Sequence, residues 1–152
     1  MPPGLLRAVR VCARTYDPRK ASGRANRWNA ADQLVLYLSE HFGTAVLESV
    51  VHAGKAPPLP AHAAWVTIPD DAIEALDVGA LPARWDDPDE LTIARAVGAR
   101  WYQEERSAAL IIPSVPGQPF ERNVVINTTH EQAAKIKWEP IVEIPWDPRL
   151  FG

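Results

Sequence analysis

Four side chains in this sequence are of types that can do chemistry, though none means much alone: Arg27, Tyr37, Glu48 and Ser114. A guanidinium is a rigid fork that matches phosphate oxygens, and the neighbouring Trp28 can lock the position of Arg27. The ring of Tyr37 can stack on a planar heteroaromatic group while its hydroxyl orients a ribose. Glu48 can supply a carboxylate to positive charge developing on a sugar. Each residue also has an ordinary role open to it. Arg27 can be a loop arginine beside a Trp that plugs the core, Tyr37 a core tyrosine with a wet hydroxyl, Glu48 part of a solvated helix face, and Ser114 a turn residue after Pro113.

The elements that must position these residues are legible in outline. Leu5 to Ala13 mixes apolar residues with outward arginines, including Arg10, and predicts a first strand. Residues 14–32 form a polar loop, longer than most connections in compact domains, and such loops often carry function. Leu34 to Leu38 predicts a short buried strand ending near Tyr37. Ser39 is placed to cap a helix running to about Ala53, with Glu40 in its first turn. On that helix Phe42, Ala45, Val46 and Val50 share one face and Leu47 and Val51 much of the opposite one. That predicts a helix buried nearly all round, with Glu48 in a narrow polar wedge beside His41, Thr44 and His52.

Ala63 to Ile68 predicts another strand, followed by a short helical turn at Asp70 and Asp71 and an irregular segment from Gly79 to Asp86. Asp87-Pro88-Asp89-Glu90 predicts a helix start, with Asp87 as N-cap, Pro88 at the first helical position and Glu90 completing a capping box. Leu91, Ala94, Val97, Gly98 and Trp101 give that helix an apolar stripe. Strands are expected at Ala108 to Ile112, Asn123 to Ile126 and Ile141 to Ile144, with Thr129 and Gln132 capping a short helix between the last two. Strands and helices interleave without a βαβ rhythm, so the expected class is α+β with a mixed sheet, not a Rossmann fold.

At 152 residues the chain fits one domain, taken as residues 1–152. Its net charge of −3 argues against a general nucleic-acid binder. The charge is uneven: up to Arg27 there are seven basic groups (Arg7, Arg10, Arg14, Arg19, Lys20, Arg24, Arg27) against Asp17 alone. That clustering is either a solvated basic face or an electropositive mouth for a small anion. No apolar stretch is long enough to span a bilayer and the N-terminus does not read as a signal peptide, so the expected compartment is the cytoplasm. There is no glycine-rich phosphate loop of the Walker or dinucleotide type. Neither His41, His52, His62 nor His130 has metal-ligand spacing to an acid or cysteine, so no metal is expected. Cys12, the single cysteine, reads as a core thiol rather than a nucleophile.

Taken in order, Arg27-Trp28-Asn29, Tyr37-Leu38-Ser39, Ala45-Val46-Leu47-Glu48 and Ile112-Pro113-Ser114 resemble the RES domain, a bacterial toxin family named for its Arg, Glu and Ser. The resemblance runs from about Val9 to Arg149, with Asn123, Asn127 and His130 matching a downstream Asn-x-x-x-Asn-x-x-His pattern and Asp147-Pro148-Arg149-Leu150 matching the closing segment. It departs where Gly23-Arg24-Ala25-Asn26 replaces the usual glycines and Ala30-Ala31 a common proline. Membership implies a fold like that of ADP-ribosyltransferases, with a mixed sheet holding NAD in a cleft, and a toxin that breaks the nicotinamide–ribose bond as a glycohydrolase or phosphorylase. It implies NAD as substrate with no separate cofactor, catalytic roles for Arg27, Tyr37, Glu48 and Ser114, and substrate contacts from Arg10, Arg27, Trp28, Asn29, Tyr37 and Asn123. It further implies a cognate Xre-like helix-turn-helix antitoxin as partner, with no direct nucleic-acid or membrane binding, and leaves homo-oligomerisation open. A transferase acting on a protein target, or an inactive binding module of the same fold, are the alternatives.

Overall fold

A computed structural model describes residues 4–54 and 59–151. Alternating apolar residues make β1 (Leu5–Ala13), β2 (Val35–Ser39) and β3 (Ala61–Pro69), and α1 (Phe42–Ala53) lies between the last two. Then follow β4 (Ile73–Ala75), α2 (Thr92–Gln103), β5 (Ala109–Pro113), β6 (Arg122–Asn127), β7 (Lys137–Trp138) and β8 (Val142–Ile144). Short 3-10 turns occupy Asp70–Ala72, Val78–Ala80, Glu131–Lys135 and Pro148–Phe151. The strands form one sheet in the order β4-β5-β6-β2-β1-β3-β7, with β8 also on β3. Only β4 against β5 is parallel. The architecture is thus α+β with a mixed sheet, as the irregular order of elements predicts. Among the described residues no helix is long and apolar enough to cross a membrane.

The sheet is weakest at its centre. β1 pairs with β3 along all nine of its residues, from Leu5–Pro69 to Ala13–Ala61, whereas it meets β2 only at Val9 opposite Ser39. A ladder of one pair cannot hold two strands flush, so β1 and β2 diverge and leave backbone groups of β2 without strand partners. The side chain of Arg10, next along β1, fills the gap: its Nη1 donates to the Tyr37 carbonyl oxygen at 3.3 Å.

Strand alternation sorts the core into faces. Ala8, Leu36, Leu38, Val66, Ile68, Val124 and Ile126 pack on one. The other carries both helices, α2 over Val35, Leu110, Ile112 and Val125, and α1 over Val9 and Ala63. Tyr37 and Ser39 point to this second face, between the two helix-covered patches. Burying each large apolar side chain in these clusters contributes about 1.5–3 kcal/mol.

Three local expectations are corrected. Ser39 does not cap α1. The β2–β6 ladder runs through Ser39–Asn123 and is prolonged by the Glu40 amide on the Arg122 carbonyl (3.3 Å), so the helix waits until Phe42. His41 is its uncapped preceding residue, and Glu40 pairs with Arg122. Asp87-Pro88-Asp89-Glu90 is a turn, and α2 begins at Thr92. The Asp87 carboxylate is already taken by Arg84 (2.7 Å) and the Asp89 amide (2.9 Å), while Glu90 accepts from the Thr92 amide at 3.1 Å. The apolar stripe on α2 stands, with Ala94, Gly98 and Trp101 buried. Thirdly, α1 is not buried all round. Phe42, Leu47 and Val51 are 42%, 38% and 58% exposed, while Thr44 and Ala45 are buried. The helix is turned so that Thr44 and Glu48 of the polar wedge face inward while His41 and His52 stay exposed, and the reason lies in the bonds that Glu48 makes.

Beyond these, the first turn after β6 is capped by the His130 ring, which accepts from the Gln132 amide at 3.0 Å, whereas Thr129 turns to the Asn127 side chain (2.7 Å). Strands β4 and β7 have two or three residues, too few to show a period.

Candidate active site

Two polar groups stand on the helix-covered face of the sheet, one on each side of Tyr37. The first centres on Glu48. Its Oε1 accepts hydrogen bonds from Ser114 Oγ (2.7 Å) and Asn123 Nδ2 (2.8 Å). Asn123 is itself held through its Oδ1 by the Ser39 hydroxyl at 2.7 Å. Ser114 is fully buried and accepts the Gly117 amide at 3.1 Å, which closes the turn after β5. Gly117 is needed there because a Cβ would lie 2.6 Å from Glu121 Cβ and 3.0 Å from Ser114 Oγ. Glu48 is thus fixed by two donors on one oxygen, and its Oε2 makes no hydrogen bond among the described residues. A carboxylate so placed offers a directed, uncommitted negative oxygen.

The second group is the turn at residues 26–29. The Tyr37 hydroxyl accepts from the Trp28 amide (3.1 Å) and donates to Asn29 Oδ1 (2.6 Å). Asn29, wholly buried, passes its Nδ2 protons to the carbonyls of Arg24 (2.9 Å) and Ala30 (3.0 Å). Burial pushes the Tyr37 phenol well above its ordinary pKa, an effect opposed by the Trp28 amide and by the positive charges of Arg95 and Arg27. The phenol therefore stays protonated and works as a donor. Since both hydrogen-bonding functions of this hydroxyl serve the turn, the residue anchors the loop that carries Arg27. Tyr37 and Ser39 are two residues apart on one strand face, roughly 7 Å along it, so the two groups are neighbours.

Arg27 is held by the segment that precedes α2. Its Nη1 donates to the carbonyls of Trp85 (2.9 Å) and Asp87 (3.2 Å), and Trp28 packs on Trp85 at 6.0 Å between ring centroids. The 84–87 segment is tied in turn to the loop after Ser114 by Gln118 Nε2 on the Asp86 carboxylate (3.3 Å). The two loops thereby enclose the same end of the sheet. Arg10 lies on the opposite face at the β1–β2 divergence. Its Nε is buried without a partner, and burial lowers its pKa, offset partly by Cys12. Burial likewise raises the pKa of the Cys12 thiol, which leaves it a poor nucleophile.

Of the residues singled out from sequence, Glu48, Ser114 and Asn123 meet directly, and so do Trp28, Asn29 and Tyr37; Arg27 and Arg10 flank them. Asn127 and His130 do not join the site. Asn127 Oδ1 accepts from Thr129, and the His130 ring bonds the Glu105 carbonyl (2.9 Å), so both shape the turn beyond β6. Gly117 and Trp85 belong to the site's framework without having been marked by sequence, and Ser39, read from sequence only as a helix cap and as the end of the Tyr37-Leu38-Ser39 motif, belongs to it too. Ser39 had a signal, its place two residues after Tyr37 on a strand, but its type suggested a helix cap first. Among the described residues no group of three or more His, Cys, Asp or Glu side chains is gathered as a metal site would require.

Comparison with known proteins identifies the family and the fold. The RES domain matches residues 6–147. The chain is 32% identical over 148 residues to the Prs ADP-ribosylating toxin of Sphingobium sp. (strain YBL2), covering 91% of both chains. It is 27% identical over 144 residues to Toxin Res of Yersinia enterocolitica serotype O:8, covering 93% of both, and 32% identical over 102 residues to Toxin Res of Photorhabdus laumondii, covering 66% of this chain and 65% of that one. Among solved structures, a chain of the M. tuberculosis MbcT–MbcA toxin–antitoxin complex shares the fold, with a TM-score of 0.78 at 14% identity over 97% of this chain and 87% of the other. With that match spanning nearly its whole length, the chain belongs to the RES domain family.

Proposed function

We propose that this protein is the toxin of a bacterial toxin–antitoxin pair and that it acts on NAD, breaking the bond between nicotinamide and ribose. The observation that carries the reading is Glu48, locked by Ser114 and Asn123 with one oxygen left free, beside a turn that presents Arg27. In the reaction the C–N bond breaks, its electron pair leaves with neutral nicotinamide, and the ribose gains oxocarbenium character. The free oxygen of Glu48 opposes that charge, while Arg27 holds phosphate or ribose oxygens, Arg10 braces the Tyr37 carbonyl from the other face, and Trp28, Asn29 and Tyr37 keep the arginine loop in place. The first reading is NAD destruction by a glycohydrolase or phosphorylase in the cytoplasm, with growth arrest. The second is transfer of ADP-ribose to a protein. It is favoured by the 32% identity, over 91% of the chain, to a relative named as a Prs ADP-ribosylating toxin. The partner of such a toxin would be an Xre-like helix-turn-helix antitoxin.

Purified protein incubated with NAD, with and without inorganic phosphate, separates these outcomes by product mass. Free ADP-ribose marks hydrolysis, a phosphorylated ADP-ribose marks phosphorolysis, and a mass increment on an added protein marks transfer. Nicotinamide release in none of these conditions removes the NAD reading and leaves a binding module. Expression in a bacterium without the antitoxin is expected to arrest growth with a fall in cellular NAD under the first reading; normal growth with soluble protein present would sink the toxin assignment.

Arg27→Lys tests geometry apart from charge. Lysine keeps the cation but cannot span the Trp85 and Asp87 carbonyls while facing a substrate with a planar fork. NAD turnover is expected to fall at least roughly tenfold, about 1.4 kcal/mol, in a folded protein. Steady-state kinetics beside a thermal melt checks it, and parental turnover would take Arg27 out of the site.

A further inference from the structure

The charge pairing of the arginines is selective. Eight of the twelve in the sequence have a carboxylate within 4.0 Å. Among the described residues the four without one are Arg10, Arg24, Arg27 and Arg95. Arg10 lies on the other face of the sheet, but in a chain with more acidic than basic residues the remaining three are unpaired positive charge that a bound anion would neutralise. Arg24 and Arg27 share the loop at residues 24–29. Arg95 comes from α2, far away in sequence, yet its Nε donates to the Asn26 carbonyl at 2.8 Å, which fastens it to the same turn. Half-buried, its side chain makes no other hydrogen bond among the described residues, so both Nη groups are unspent. The charges of Arg95 and Arg27 both reach the Tyr37 hydroxyl, the anchor of the turn, Arg95 the more strongly. Asp87, whose carbonyl Arg27 grips, pairs its carboxylate with Arg84, and the nearby charge of Arg27 helps to hold that carboxyl below its usual range.

We propose that Arg95 is a substrate-binding residue that, together with Arg27, grips the diphosphate of a dinucleotide. Two guanidiniums on one turn can each take oxygens of one phosphate, a task for which a single arginine already holding two carbonyls is insufficient. The inference rests on the NAD reading above and adds a residue from α2 to it.

Arg95→Gln and Arg95→Lys, each with a thermal melt, would be titrated calorimetrically with NAD, ADP-ribose and nicotinamide riboside, the last lacking the diphosphate. Arg95→Gln is expected to weaken NAD and ADP-ribose about tenfold and leave nicotinamide riboside unchanged, with Arg95→Lys recovering part of the loss. Unchanged affinity for ADP-ribose in folded Arg95→Gln overturns the proposal while the NAD reading stands. Equal weakening of all three ligands also overturns it, because Arg95 would then act only by holding the turn. A parental protein that binds none of the three overturns the NAD reading itself.

Discussion

Replacing Glu48 by glutamine is expected to lower NAD turnover by about 100-fold or more, near 2.7 kcal/mol, without unfolding the protein. The substitution is close to isosteric at this site. The amide oxygen can keep the acceptor position that Ser114 Oγ and Asn123 Nδ2 address at 2.7 and 2.8 Å, and the amide nitrogen replaces an oxygen with no hydrogen bond among the described residues. What disappears is the negative charge. An interaction made with a cationic transition state and not with the ground state lowers kcat and kcat/KM together and leaves KM nearly unchanged. That kinetic pattern, with a melting temperature close to the parent's, is the expected result. Turnover at the parental rate in a folded variant would detach Glu48 from the chemistry, and a collapse in melting temperature would show that its role is to hold α1 against the sheet.

Gly98→Ala is expected to damage both stability and activity from outside the site. A Cβ at this position of α2 would lie 1.8 Å from the Trp28 carbonyl oxygen and 2.6 Å from its carbon. Both are backbone atoms, so no rotamer change relieves the clash, and the helix and the turn at residues 26–29 must separate. Overpacking of this kind costs about 3 kcal/mol, roughly 6–12 °C in melting temperature for a domain of this size. The displaced turn is the one tied to Tyr37, to Arg95 and, through Arg27, to the Trp85 carbonyl. NAD turnover measured well below the melt should therefore fall as well, and the packing of Trp28 on Trp85 should loosen, visible as altered tryptophan fluorescence. A variant with parental melting and turnover would show that helix and turn are not packed as closely as this.

Local pattern in the sequence was enough for features that depend on a residue and its near neighbours. β1 from Leu5 to Ala13 and the buried stripe of Ala94, Gly98 and Trp101 follow from alternation and helical spacing, because one face of each must leave water. The family resemblance rests on short motifs in order, and these include the residues that meet at Glu48. Only the tertiary structure decided which partner each polar group would take. Ser39 has the type of a helix cap, yet β6 lies alongside and Asn123 claims its hydroxyl; Asp87 has the same type, and Arg84 claims its carboxylate. The roll of α1 was hidden for the same reason: a count of apolar residues turns Leu47 and Val51 inward, but hydrogen bonds from Ser114 and Asn123, 66 and 75 residues away in sequence, bring Glu48 in and leave those two partly in solvent. Hydrophobic periodicity is a property of one segment, whereas a polar atom is satisfied by whatever the fold brings within about 3 Å of it, and no segment carries that information alone.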